Sequence, residues 1–218
     1  MLQIYKNKIL KINSDILEIG NDLIKANQLI LEALDGCKVD KFTEAKTYNK
    51  NIASKINNID NEIVSILALH SPEASDLRTL ISYLKITNEL LSISIKTKNF
   101  RKEFNKICDQ LKLKSIIDYS IPMQRSTVKA LKYAIKMIEL EYTEDIQDYY
   151  TKVLVSKSKT DDIYEMIENN LKKDTKEIKE FAKYYKMLQA LRNSEKISDR
   201  AMSIATLLTY ARNGGEIH

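Results

Sequence analysis

Apolar positions recur with a helical period along almost the whole chain. Leu2, Tyr5, Ile9, Ile12, Ile16, Ile19, Leu23, Ala26, Ile30 and Ala33 alternate three- and four-residue steps. That is the a/d stripe of a long bundle or coiled-coil helix. It stops near Gly36, a residue suited to closing a helix. The same periodicity predicts a second helix from about Val39 to about Leu69. Ser71 then reads as an N-cap and Pro72 as the first residue of a third helix, with Leu77, Ile81, Leu84, Leu91 and Ile95 on one face. The pattern weakens over 111–121, and Ser120-Ile121-Pro122 restarts it. Three further helical segments follow, roughly 122–141, 143–172 and 175–212. Asp174 with Glu177 three residues on fits a capping box opening the last one, and Gly214-Gly215 closes it.

The two halves are alike: three long helices, then three long helices. Shifting the first half by 104 residues sets Ile59 on Ile163, Ile63 on Ile167, Leu67 on Leu171 and Ile95 on Asp199. Spacing agrees better than identity, which is the mark of a diverged tandem repeat. Short connections favour antiparallel neighbours. The predicted fold is all-α, two tandem three-helix bundles packed into one elongated body. Residues 1–110 form the first repeat, 111–121 a linker and 122–218 the second repeat.

Composition narrows the picture. Gly and Pro together number only 6 of 218 residues, so sandwiches, barrels and propellers, which need many tight turns, are disfavoured. At 44% apolar and 30% charged the chain is too apolar for disorder. The net charge of +5 is modest and the signs alternate, so neither nucleic acid nor a membrane is expected as a partner. There is no signal-like apolar region near the start and no apolar run of membrane-spanning length, which predicts a cytoplasmic protein without membrane insertion. Cys37 and Cys108 form neither a disulfide framework nor a zinc pattern. With only His70 and His218 beside them, Ser-His and Cys-His hydrolases are disfavoured.

The stretch after Pro72 reads Glu73-Ala74-Ser75-Asp76-Leu77-Arg78, followed by Leu84-Lys85-Ile86 and Asn88-Glu89-Leu90. It resembles the PhoU family of phosphate-uptake regulators, in which a Pro-x-Ala-Ser-Asp-Leu-Arg block opens the third helix of the first repeat. Leu191-Arg192-Asn193-Ser194-Glu195-Lys196-Ile197-Ser198-Asp199-Arg200-Ala201 is similar to the family's last-helix motif, and Gly215-Glu216-Ile217-His218 is similar to how such chains end. The resemblance implies a non-enzymatic accessory protein of the phosphate-specific transport system. Such a protein lowers phosphate uptake and the starvation response as an adaptor between a phosphate ABC transporter ATPase and a sensor histidine kinase. It also implies a homodimer.

The family resemblance further implies metal clusters held by paired acidic-x-x-x-Asp motifs on the second and third helices of each repeat. Positions i and i+4 share a helix face, so two carboxylates project together and a hard cation or iron relieves their repulsion. One motif of four is intact here, Glu195 with Asp199. The matching positions are Leu91 and Ile95, Asn49 and Ala53, and Ser156 and Thr160, none of them acidic; Asp161 and Asp162 are near enough to help. The expectation is a weakly bound divalent metal or iron confined to the second bundle. Against it stands simple neutralisation of Glu195 and Asp199 by Arg192, Lys196 and Arg200 through i,i+3 and i,i+4 pairs.

The other candidates have simpler accounts. His70 sits where a helix C-terminus favours a basic group. Cys37 and Cys108 read as small buried or loop residues. Tyr149-Tyr150 and Tyr184-Tyr185 place one ring of each pair in the core. A ferritin-type di-iron enzyme would need Glu-x-x-His motifs on facing helices, and there are none. A helical adaptor serving another transporter, or a weak metal-binding bundle, remains the alternative, and gene neighbourhood discriminates between them.

Overall fold

The computed structural model describes residues 2–107, 114–140, 143–174 and 178–214, with side chains at 2–5, 114–117, 143–144, 172–174 and 178–183 outside the description. It is all-α, with no strand among the described residues. Seven α-helices are described: α1 (Leu2–Leu34), α2 (Val39–Thr47), α3 (Ile52–Leu69), α4 (Ala74–Ile107), α5 (Lys114–Lys136), α6 (Thr143–Asp174) and α7 (Ile178–Asn213). They make the six expected rods, with the second rod broken into α2 and α3.

The stripe read from the first heptads is the buried face of α1. Ile12, Ile16, Ile19, Leu23, Ala26, Ile30 and Ala33 are all 0% exposed. Leu2 and Tyr5 lie outside the described side chains. α1 ends where Gly36 and then Cys37 take left-handed backbone (φ 78° and 55°), and the Lys38 N–H returns to the Ala33 carbonyl at 3.0 Å. That is a Schellman closure. Cys37 sits half-buried in this turn against the second apolar cluster; Cys108 lies outside the described residues.

Three boundaries depart from expectation. The second rod is interrupted after Thr47 by Asn51 in the left-handed region (φ 58°). Asn tolerates that conformation without glycine, so no Gly or Pro marks the break. Next, α4 begins at Ala74, two residues past Pro72. The first carbonyl to accept a helical bond is that of Glu73, which takes the Leu77 N–H at 2.8 Å; Ser71 is not the cap. His70 closes α3, as expected, with extended backbone. α5 starts at Lys114, so Pro122 lies inside a helix instead of opening one, and 114–121 is helical rather than a linker. The proposed cap at Glu177 and the terminal Gly215–His218 lie outside the described residues.

The halves do not keep separate cores. α4 packs along α7, and α1 packs against α5, so third helix meets third helix and first meets first. Of the positions matched by the 104-residue shift, Ile59 with Ile163 and Ile63 with Ile167 are buried in both halves, whereas Leu67 is half-buried against a buried Leu171 and Ile95 is exposed against a half-buried Asp199. Two apolar clusters result, each drawing on both halves. A polar layer separates them on four helices at once. Asn27 of α1, Thr97 of α4, Gln124 and Thr127 of α5 and Ser194 of α7 are all 1% exposed or less. Asn27 Nδ2 donates to Thr97 Oγ1 (2.9 Å), Gln124 Nε2 to Asn27 Oδ1 (3.2 Å) and Ser194 Oγ to Gln124 Oε1 (2.5 Å). A buried network of this kind is tolerated because its members satisfy one another, and it fixes the register of both halves.

Candidate carboxylate centre

Asp161 of α6 and Glu195 and Asp199 of α7 each turn a carboxylate oxygen to one point, all within 4.8 Å of one another. The i,i+4 spacing of Glu195 and Asp199 puts both on the α7 face that meets α6. Asp162, one residue round the helix, is exposed and takes no part. Three carboxylates at this separation repel by several kcal/mol at a surface-like dielectric of about 20, so charge must be compensated.

The compensation comes from within the protein. Lys157, one turn before Asp161, bonds that carboxylate and stands 3.5 Å from Asp199 Oδ1. Lys196 donates to Asp199 at 2.8 Å and lies 3.6 Å from Glu195; Arg192 lies 3.4 Å from Glu195. Arg192 also stacks over the Tyr164 ring at 5.3 Å. Arg200, expected in this shell, instead reaches across to Glu89 of α4 at 3.2 Å. Burial pushes the Glu195 carboxyl above its ordinary range, against the pull of Lys196 and Arg192, and Asp199 and Asp161 add to the rise. The opposite effect raises Lys196 and Lys157, each chiefly through its hydrogen-bonded aspartate.

Donor chemistry decides what could sit here. Asp161 Oδ1 and Glu195 Oε2 are buried and accept no hydrogen bond, although Arg192 Nε stands 3.4 Å from Glu195 Oε2, so lone pairs remain for a cation. Three carboxylates with Lys157 already among them fit one ion, held in competition with that ammonium. They do not fit a multinuclear cluster. The other motif positions offer nothing: Ser156 and Thr160 turn their hydroxyls back to the carbonyls of Lys152 and Ser156. In the first half Leu91 packs against the core and Ile95 is 49% exposed. Asn49 bridges there instead, donating to Ser94 O (2.8 Å) and accepting from Ser94 Oγ (2.6 Å), so a neutral hydrogen-bonded pair joins the rods where the family resemblance implies metal.

Lys157 is absent from the sequence-based set, and Glu89 enters it only within the Asn88-Glu89-Leu90 match, not beside the carboxylates. The Lys157–Asp161 pair is visible at i,i+4, whereas the Glu89–Arg200 pair joins distant helices and carries no local signal. An open cleft of about 530 Å3 runs beside the centre between α4, α6 and α7, lined by groups of both signs, including Lys85, Glu89, Lys157 and Asp199.

The Ala74-Ser75-Asp76-Leu77-Arg78 block forms the first turn of α4. Ala74, Ser75 and Leu77 are exposed and Asp76 supplies a negative charge at the helix N-terminus. Arg78 lies against Gly214, its guanidinium 3.8 Å from where a Cβ would stand. The block therefore ties the start of α4 to the end of α7, where a cation also suits the helix dipole.

Residues 16–102 match the family model described as the PhoU domain, a span from α1 well into α4 that includes this block. Over that stretch the chain resembles the PhoU domain. It is 20% identical over 210 residues to the phosphate-specific transport system accessory protein PhoU homolog 1 of Methanothermobacter thermautotrophicus, covering 93% of this chain and 91% of that protein. It is 23% identical to the phosphate-specific transport system accessory protein PhoU homolog of Pseudomonas putida, covering 99% and 83%. Its fold matches that of the PhoU crystal structure from Pseudomonas aeruginosa (TM-score 0.77, 22% identity, 98% of both chains). The phosphate transport system regulatory protein PhoU of Streptococcus pneumoniae is similar in the same way (TM-score 0.74, 18% identity, 98% and 99%). The carboxylate centre lies outside the stretch matched by the PhoU model. Among the described residues no helix is long and apolar enough to cross a membrane.

Proposed function

We propose that this chain is a member of the PhoU family and an accessory protein of a phosphate-specific transport system. In this reading it lowers phosphate uptake and the starvation response as a homodimeric cytoplasmic adaptor between the transporter ATPase and a sensor histidine kinase. The observation that carries the reading is whole-length likeness: two proteins named as accessory components of that system align over nearly all of this chain. The structure supports action through contacts. Long helices expose faces a partner helix can occupy, and the polar layer shared by α1, α4, α5 and α7 holds those faces in fixed relation.

In the same reading, Asp161, Glu195 and Asp199 hold a single divalent cation weakly. Bound there, it would supply positive charge that neutralises the three acids and braces α6 against α7. Ions of this class take six or more oxygens, so water completes the shell. The fold does not depend on it, because the apolar clusters already bury the core.

The test of the adaptor reading is co-purification. Tagged protein from cells grown in excess phosphate is expected to retain the transporter ATPase and the kinase, with the amounts changing on starvation. Recovery of neither partner in either condition would count against it.

A further inference from the structure

A second cleft, of about 380 Å3, lies between α5 and α6, on the opposite face of α6 from the carboxylate centre's partner helix α7. Its lining carries Arg125, Lys129, Lys152 and Lys159 and no acidic residue. Arg125, Lys129 and Lys159 are exposed and form no ion pair among the described residues. Lys152 is held by Asp148 and lies 4.6 Å from the Tyr149 ring. Unpaired lysines occur elsewhere among the described residues too, Lys25, Lys46 and Lys98 among them, while Lys11, Lys41, Lys55 and Lys136 have carboxylate partners. What sets the cleft apart is that three unpaired cations line one opening that holds no acidic residue.

The cleft also has an apolar component. Pro122 and Val155 line it, and Val155 is 63% exposed with Leu154 beside it at 44%. Burying such side chains is favourable at about 25 cal/mol per Å2, so a partner that covers them gains on both counts. Shape selects among anions. From Pro122 to Tyr133 along α5 the lining spans 11 residues, about 16 Å at 1.5 Å per residue. That is several times the width of an inorganic anion and about three turns of a helix. Two of the four hydroxyls in the lining are turned away from an anion, since Ser156 and Thr151 donate back to the carbonyls of Lys152 and Gln147.

We infer that the α5–α6 cleft is a docking groove for an acidic amphipathic helical segment of a partner protein. Its apolar side covers Val155 and Pro122 and its carboxylates pair with Arg125, Lys129 and Lys159. The argument is charge complementarity and length, and it does not rest on the phosphate-system reading. Helix-in-groove recognition anchors at i, i+3, i+4 and i+7, and a rim of one sign steers association and makes it sensitive to salt.

The test uses the full chain and a fluorescein-labelled synthetic 16-mer helix with Glu on one face and Leu on the other, with a Lys-for-Glu version as control. Anisotropy titrations are expected to show binding of the acidic peptide only, weakened about tenfold or more by Arg125→Glu with Lys129→Glu and Lys159→Glu. The triple change Lys25→Glu, Lys46→Glu and Lys98→Glu alters net charge equally, on helices outside the groove, and should leave binding within about twofold. All six residues are exposed, and circular dichroism checks that helix content is kept. Equal weakening by both triple variants would overturn the inference, reducing it to bulk charge. So would unchanged binding in the groove variant. Competition by inorganic phosphate at millimolar concentration, or groove-dependent binding to vesicles of anionic lipid in place of the peptide, would assign the cleft to another ligand and overturn it too.

Discussion

Lys157 of α6 places its ammonium 3.5 Å from Asp199 Oδ1 of α7 while bonding Asp161 on its own helix. An internal cation thus stands where two of the three converging carboxylates would meet a metal. The arrangement explains how the three acids coexist on two packed helices.

Removing the ammonium should therefore expose the latent site. Lys157→Met is expected to lower the melting temperature by a few degrees in chelator, because a partly buried charge pair is broken. It should also raise affinity for Mn2+ about tenfold or more over the unaltered protein. Calorimetric titration with Mn2+, with melts at each concentration, measures both. Equal or weaker Mn2+ binding by the variant would mean that Lys157 does not compete for the site.

Glu195 gives a pH signature. Its carboxyl is raised above the ordinary value of 4.5, first by burial. A raised acid binds more protons folded than unfolded, so its contribution to stability is present below about 4.5 and is lost as pH rises through the folded value. Glu195→Gln, which stays neutral, should gain on the unaltered protein as pH climbs from 4 to 7, with the difference closing at the acid end. Melting temperatures across that range check it; a difference that shrinks with rising pH would mean that the pairs to Lys196 and Arg192 outweigh burial.

The joint between the halves is testable at Gly20 in the middle of α1. A Cβ there would lie 2.7 Å from Ile135 Cδ1 and 2.9 Å from its Cγ2, and Ile135 of α5 is 2% exposed. Ala in place of Gly gains about 1 kcal/mol of helix propensity, while overpacking a filled core costs about 1–3 kcal/mol. Gly20→Ala should thus destabilise by about 1 kcal/mol and lower the melting temperature by about 2–4 °C. The loss should shrink in an Ile135→Val background, which removes the nearest atom. Stabilisation by Gly20→Ala would show that the two helices can move apart freely.

The fold was largely legible because the heptad stripe of α1 maps onto buried positions without exception from Ile12 to Ala33. Boundaries were less so. The break before α3 uses Asn51 in place of glycine, and α5 runs through Pro122, so tertiary packing overrode the usual punctuation. At the carboxylate centre the i,i+4 pair Glu195 and Asp199 was visible, and Asp161 joined it while Asp162 did not, because one residue is a turn of about 100°. Arg200 could not be placed from sequence: its partner Glu89 lies 111 positions away on α4. The polar layer was hidden for the same reason, since Asn27, Gln124 and Ser194 meet only when both halves are folded together.

The central claim is regulation of phosphate supply through protein contacts. Its most direct test is expression of a phosphate-starvation reporter in the host after deletion of the gene, in excess phosphate. The account predicts that the reporter, silent in the parent, is switched on by the deletion. Silence should return with the unaltered gene, and also with a copy carrying Glu195→Ala and Asp199→Ala. A reporter unchanged by the deletion in both excess and limiting phosphate would contradict it.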